Sequence, residues 1–170
     1  MSAGFTNAVV AGLLYNGVEV SFEPGHLTRG NGYVFPLGRP KGLVIHHTGS
    51  RYDTGLPTLV NGRPDLDPPL CNTCGYSDGR IHFIAAHPAN HAGAGAGKSM
   101  GPLPRTRLFN REVWGHEIMY PGLIEMTPAQ YRSAQILGGV ICGILGVDAE
   151  HVRAHAETSE NGKWDPGRGN

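Results

Sequence analysis

A histidine, a lysine and a carboxylate stand close together near the end of this chain: His155, Lys163 and Asp165. Pro166 biases Asp165 toward an extended backbone. In an extended segment residues two apart point the same way, so Lys163 and Asp165 address one space. Taken alone, such a trio is more often surface decoration than a site. It gains meaning from His46, which ends the apolar run Leu43, Val44 and Ile45. A histidine at the end of a buried strand is either a satisfied core residue or a ligand. Two histidines and one carboxylate make a catalytic zinc set that leaves the fourth position for water. Such a set can activate its bound water and polarise a carbonyl.

Composition narrows the classes of partner. Lysine plus arginine and aspartate plus glutamate are equal at 14 each, so no large basic face marks nucleic acid or an anionic membrane as partner. No run approaches the roughly 20 apolar residues of a membrane span. Met1 to Tyr15 lacks the basic start and small-residue cleavage site of a signal peptide. A chain of 170 residues is long enough for one domain with its own core. We expect a monomer that needs neither nucleic acid nor membrane. With 26 glycines and 13 prolines, long shaped loops are expected, and such loops often build sites.

The elements that must position these side chains follow from periodicity. Thr6 to Tyr15 reads as a helix stopped by Asn16 and Gly17, and Val18, Val20 and Phe22 alternate with polar residues as a strand. The glycine- and proline-rich stretch from Gly30 to Lys41 separates this N-terminal extension, residues 1–40, from a main domain over 41–170. Strands are expected at 43–45, 80–86 and 113–120, and 50–70 reads as loop. Thr127, Pro128 and Gln130 have capping-box spacing with proline at the first helical position. The helix continues through Ala134, Leu137, Ile141, Ile144 and Leu145 to Gly146. The expectation is an α/β domain, a mixed central sheet flanked by helices, with the zinc in a surface groove.

Four motifs in order sharpen this. The strand Leu43 to Thr48 with its His46-His47 pair, the segment Asn90-His91-Ala92-Gly93, the strand Val113 to Ile118 with Glu117, and the ending His155 with Lys163, Trp164, Asp165, Pro166 and Gly167 resemble the zinc amidases related to peptidoglycan recognition proteins. These are the N-acetylmuramoyl-L-alanine amidases, and the resemblance covers residues 41 to 167. It implies that His46, His155 and Asp165 hold one Zn2+, that Glu117 is the general base, that Lys163 stabilises the oxyanion, and that His91 lies beside bound substrate. The partner it implies is bacterial peptidoglycan. Alternation agrees that the adjacent His46 and His47 cannot both face one site, and His47 is assigned to packing. Val113, Gly115 and Met119 share the face of Glu117, an apolar setting that raises a carboxyl pKa. The structural alternative for Glu117 is an edge-strand salt bridge.

The N-terminal pattern looks like lysins of phages that infect actinobacteria, which implies synthesis in the host cytoplasm and release to the wall. Two departures from the family are plain: Asn90 replaces a common aromatic, and Cys71-Asn72-Thr73-Cys74 replaces a Tyr-His strand, so no aromatic acid or base is placed there.

Several motifs carry less. Gly93 to Ser99 nearly spells a phosphate loop, but the pattern needs glycine at Ala92, and Gly101, Pro102 and Pro104 deny the following helix. The stretch reads instead as a flexible rim of the groove. Cys71 and Cys74 lack the second pair a zinc knuckle needs. Cys142 lies in the helical pattern as a buried thiol. His26, His82, His87, His116 and His151 have no partner legible in sequence. Two rival readings stand beside the amidase: a wall-binding module, expected to lack a ligand that is present here, and a zinc peptidase acting within the stem peptide, which uses similar ligands.

Overall fold

A computed structural model describes residues 2–167, and its centre is a six-stranded sheet in the order β1-β4-β3-β5-β2-β6. The strands are β1 (Val20–Phe22), β2 (Leu43–His47), β3 (Thr73–Gly75), β4 (Ile81–Phe83), β5 (Trp114–Ile118) and β6 (Val152–Ala154). β3, β5, β2 and β6 run parallel, β4 joins β3 antiparallel, and β1 lies parallel to β4. This is the mixed sheet flanked by helices that the periodicity predicts.

Helices α1 (Ser2–Tyr15) and α3 (Pro128–Leu145) pack together over one face of the sheet. Phe5, Val9 and Leu13 of α1 and Leu137 and Ile141 of α3 bury against Leu43, Ile81, Phe83 and Trp114. Burial of this apolar area is the main force holding the helices to the sheet. α3 starts as its sequence dictates: the Thr127 hydroxyl accepts from the Gln130 amide, and the Gln130 side chain accepts from the Thr127 amide, both at 3.1 Å. Gly146 ends it in the left-handed conformation at φ 70°, which favours glycine.

The N-terminal segment thus supplies α1 to this core and β1 to the sheet edge. Ser21 Oγ lies 2.8 Å from His82 Nδ1 across the β1–β4 pair, and His82 Nε2 lies 3.4 Å from Glu23. This polar network fastens the segment to β4.

The opposite face of the sheet carries two smaller cores. One gathers Leu59 and Val60 of α2 (Leu56–Asn61) with Leu70, Cys71, Cys74, Ile84 and Met119. The other gathers Val44, Ala92, Met100, Leu103, Phe109 and Val113 beneath the long loop after β4. α2 lies where loop was expected, because six residues are too few for a 3.6-residue period to register. β6 and the short α4 (His155–Thr158) are equally too short to read from pattern.

The glycine-rich stretch departs from the flexible rim expected of it. Gly95 pairs with Thr106 and Ser159, and the Ala96 and Gly97 amides donate to the Thr158 carbonyl. A Cβ on Gly97 would run into the Glu157 and Thr158 backbone. These glycines permit close packing against α4, so this part of the loop is a strut behind His155.

Candidate active site

The site forms where three neighbouring parallel strands, β5, β2 and β6, reach their carboxyl ends, the usual place for ligands on such sheets. The register pairs Ile45 with Ala154, so the residues that follow, His46 and His155, come side by side. Their rings stand 4.5 Å apart between centroids. On the other side of β2, His46 pairs in register with Glu117 of β5. Alternation turns His46 and Glu117 to the same face, between the two smaller cores.

Asp165 arrives from the C-terminal tail. Its Oδ2 lies 3.0 Å from both His46 Nδ1 and His155 Nδ1. Burial opposes its ionisation, but hydrogen bonds from His155 and His46 hold the carboxyl well below the usual range. The tail is fixed by several ties. The Ala156 amide donates to the Asp165 carbonyl at 2.8 Å. The Gly167 amide donates to His47 Nδ1 at 2.7 Å, and the Tyr120 hydroxyl donates to the Gly167 carbonyl. The Trp164 ring packs edgewise on His47, centroids 4.4 Å apart. His47 therefore faces away from the ligand cluster and secures the segment that carries Asp165.

Glu117 is partly buried, and its Oε2 is sealed from solvent without a hydrogen-bond partner. Burial first, and the nearby Asp165 second, push its carboxyl up to about 8, with Lys163 and Arg63 pulling the other way. Met119 and Val113 belong to the cores on either side. Lys163 is exposed and lines the same groove, a cavity of about 350 Å3 bordered also by Thr48, Arg63, Asn90 and Trp164.

His91 borders the groove as well. Its Nδ1 is 2.9 Å from His46 Nε2, and its Nε2 is 3.3 Å from the Val113 carbonyl. Burial lowers the His46 pKa to about 4, partly offset by Asp165, and burial with the neighbouring His46 and His155 lowers that of His91 well below its ordinary value. Asn90 donates to the Asp67 carbonyl and accepts from Asn31, so it braces the groove wall.

Sequence reasoning missed Asn110, whose side chain accepts from the His91 and Ala92 amides, and Arg63 at the groove. Each is a lone polar residue outside the sheet and the α-helices, with no pattern to mark it. His116 lies on the far face, its Nδ1 3.0 Å from Thr73 Oγ1. Cys71 and Cys74 are buried free thiols in the apolar core under α2, and Cys142 is also a buried free thiol.

The residues fit a metal ion. Ligand atoms of His46, His155 and Asp165 lie within 4.8 Å of one another. Two imidazoles and one carboxylate form a donor set of the kind zinc takes.

No curated protein matches the chain in sequence. Among solved structures, the chain is similar to LysCS, an endolysin N-acetylmuramoyl-L-alanine amidase from Clostridium intestinale URNW, with 14% identity and a TM-score of 0.64 over 88% of each chain. It is similar to AmpD at 20% identity and a TM-score of 0.65, again over 88% of each. The third is the amidase AmiD from E. coli, solved with anhydro-N-acetylmuramic acid-L-Ala-D-gamma-Glu-L-Lys. Identity there is 25% and the TM-score 0.61, over 82% of this chain and 56% of AmiD. The family model for N-acetylmuramoyl-L-alanine amidase matches residues 36–168, a span that holds His46, Glu117, His155 and Asp165. Because that match takes in most of its length, the chain belongs to the N-acetylmuramoyl-L-alanine amidase family.

Proposed function

We propose that the chain hydrolyses the amide between N-acetylmuramic acid and L-alanine of peptidoglycan, with one Zn2+ held by His46, His155 and Asp165. The observation that carries this reading is the unpartnered, sealed Oε2 of Glu117 in register beside His46. A buried carboxyl oxygen without a partner costs free energy and calls for an explanation, and a general base awaiting substrate is one. Zinc in such a donor set supplies an activated water of pKa about 7 and polarises a carbonyl.

The chain's own groups do the rest. Glu117 takes the proton of the attacking water and hands it to the leaving amine. Lys163, which lines the same groove, meets the negative charge that develops on the carbonyl oxygen. Asp165, held by both histidines, and His47, through the tail, keep the ligand side of the groove in place. Residues 1–40 serve as an extension of the catalytic domain over 41–170. The likeness to the endolysin LysCS supports a role in cell-wall lysis, with the protein acting as a monomeric lysin released to the wall.

Product analysis tests the activity. Digested peptidoglycan should show new free amino groups on L-alanine and no new reducing sugar ends. New amines deeper in the stem would favour a peptidase, and binding without any product would favour a recognition module.

A further inference from the structure

Nδ1 is the His46 ring atom that faces Asp165 and His155, so when His46 binds zinc Nδ1 gives up its proton to become the ligand atom. The ring's only proton then sits on Nε2, and a buried N–H needs an acceptor. His91 supplies that acceptor. His91 Nδ1 lies 2.9 Å from His46 Nε2, while His91 Nε2 faces the Val113 carbonyl at 3.3 Å. A carbonyl only accepts, so the His91 proton belongs on Nε2, which leaves its Nδ1 bare for His46. The chain of bonds has one consistent direction: His46 donates to His91, and His91 donates to Val113.

The surroundings of His91 are built for this. The His91 and Ala92 amides both donate to the Asn110 side chain, at 3.3 and 2.8 Å. Gly115 lies directly beneath the ring, and a Cβ there would come within 2.5 Å of it. Only glycine lets the imidazole lie this close to β5. Both ring nitrogens are engaged inside the protein, which leaves neither for substrate.

We propose that His91 is a positioning residue: by accepting the Nε2 proton of His46 it fixes the tautomer and ring angle that aim His46 Nδ1 at the metal. Outer partners of this kind raise the basicity of a ligand, and their loss typically weakens metal binding about 10- to 100-fold. The inference rests on His46 being a zinc ligand.

The test measures zinc affinity by chelator competition in the parent, His91→Phe, His91→Gln and His46→Ala. His91→Phe keeps the ring volume without an acceptor and should bind zinc about 10- to 100-fold more weakly. His91→Gln offers an amide oxygen to His46 and an N–H to Val113, and should recover most of that loss. Parental affinity in His91→Phe, or equal loss in Phe and Gln, overturns the inference. A His46→Ala variant that keeps full zinc would instead overturn the ligand reading itself. Histidine-ring 15N NMR of the zinc-loaded parent needs no variant: His91 should carry its proton on Nε2 with Nδ1 bare, and the opposite tautomer also overturns the inference.

Discussion

His46 and Glu117 are register partners on adjacent parallel strands, one reaching the ligand cluster and the other stopping beside it. The separate roles proposed for them make the first prediction. Glu117→Gln should bind zinc and fold normally, since Glu117 is outside the cluster of ligand atoms. Loss of general-base catalysis costs about a hundredfold to ten-thousandfold in rate. Wall hydrolysis and metal content, measured side by side, check it; near-parental turnover in a fully loaded variant would make Glu117 structural.

Removing Asp165 should release the metal, because its Oδ2 stands at 3.0 Å from both histidines. Asp165→Ala should lose zinc, as should His46→Ala and His155→Ala. A thiolate is also a good zinc ligand, so Asp165→Cys should retain it. Elemental analysis distinguishes these outcomes, and equal loss in the Ala and Cys variants counts against this ligand geometry.

Lys163 lines the groove with Glu117 and the ligand cluster. Lys163→Met should keep its zinc and lose about a hundredfold to a thousandfold in turnover if the ammonium meets the oxyanion. An unchanged kcat with a raised KM would assign the lysine to substrate binding alone.

The metal-free protein should lose stability with alkaline pH. Glu117 has a folded pKa of about 8 against an ordinary value of 4.5, so the folded state holds a proton that the unfolded state releases. Its contribution is fully present below about 4.5 and is lost as pH rises to about 8. Glu117→Gln removes this dependence. In the absence of metal its melting temperature should exceed the parent's at pH 9 and match it more closely at pH 5. A parental stability that is flat over this range in metal-free protein would contradict the burial assigned to Glu117.

Some of this molecule is written locally. The start and stop of α3 follow from Thr127, Pro128, Gln130 and Gly146, because capping bonds join near neighbours. The apolar run into His46 reads as a buried strand for the same reason. Alternation alone separates the faces of His46 and His47, and with the ordered motifs the resemblance gathers His46, His155 and Asp165 as ligands of one ion with Glu117 as the base beside them.

What brings them together is a matter of register and fold. His155 reaches His46 because β6, three residues long, pairs with β2 so that Ala154 meets Ile45. No periodicity announces a strand so short. The glycine-rich loop is a strut rather than a rim because Gly95 and Gly97 meet Phe109 and the α4 backbone, partners distant enough that composition cannot reveal them. The sequence leaves His91 beside a substrate groove. Which atoms its two nitrogens face depends on Val113, just ahead of β5, and His46 of β2 arriving from distant parts of the chain, and only the tertiary structure decides that.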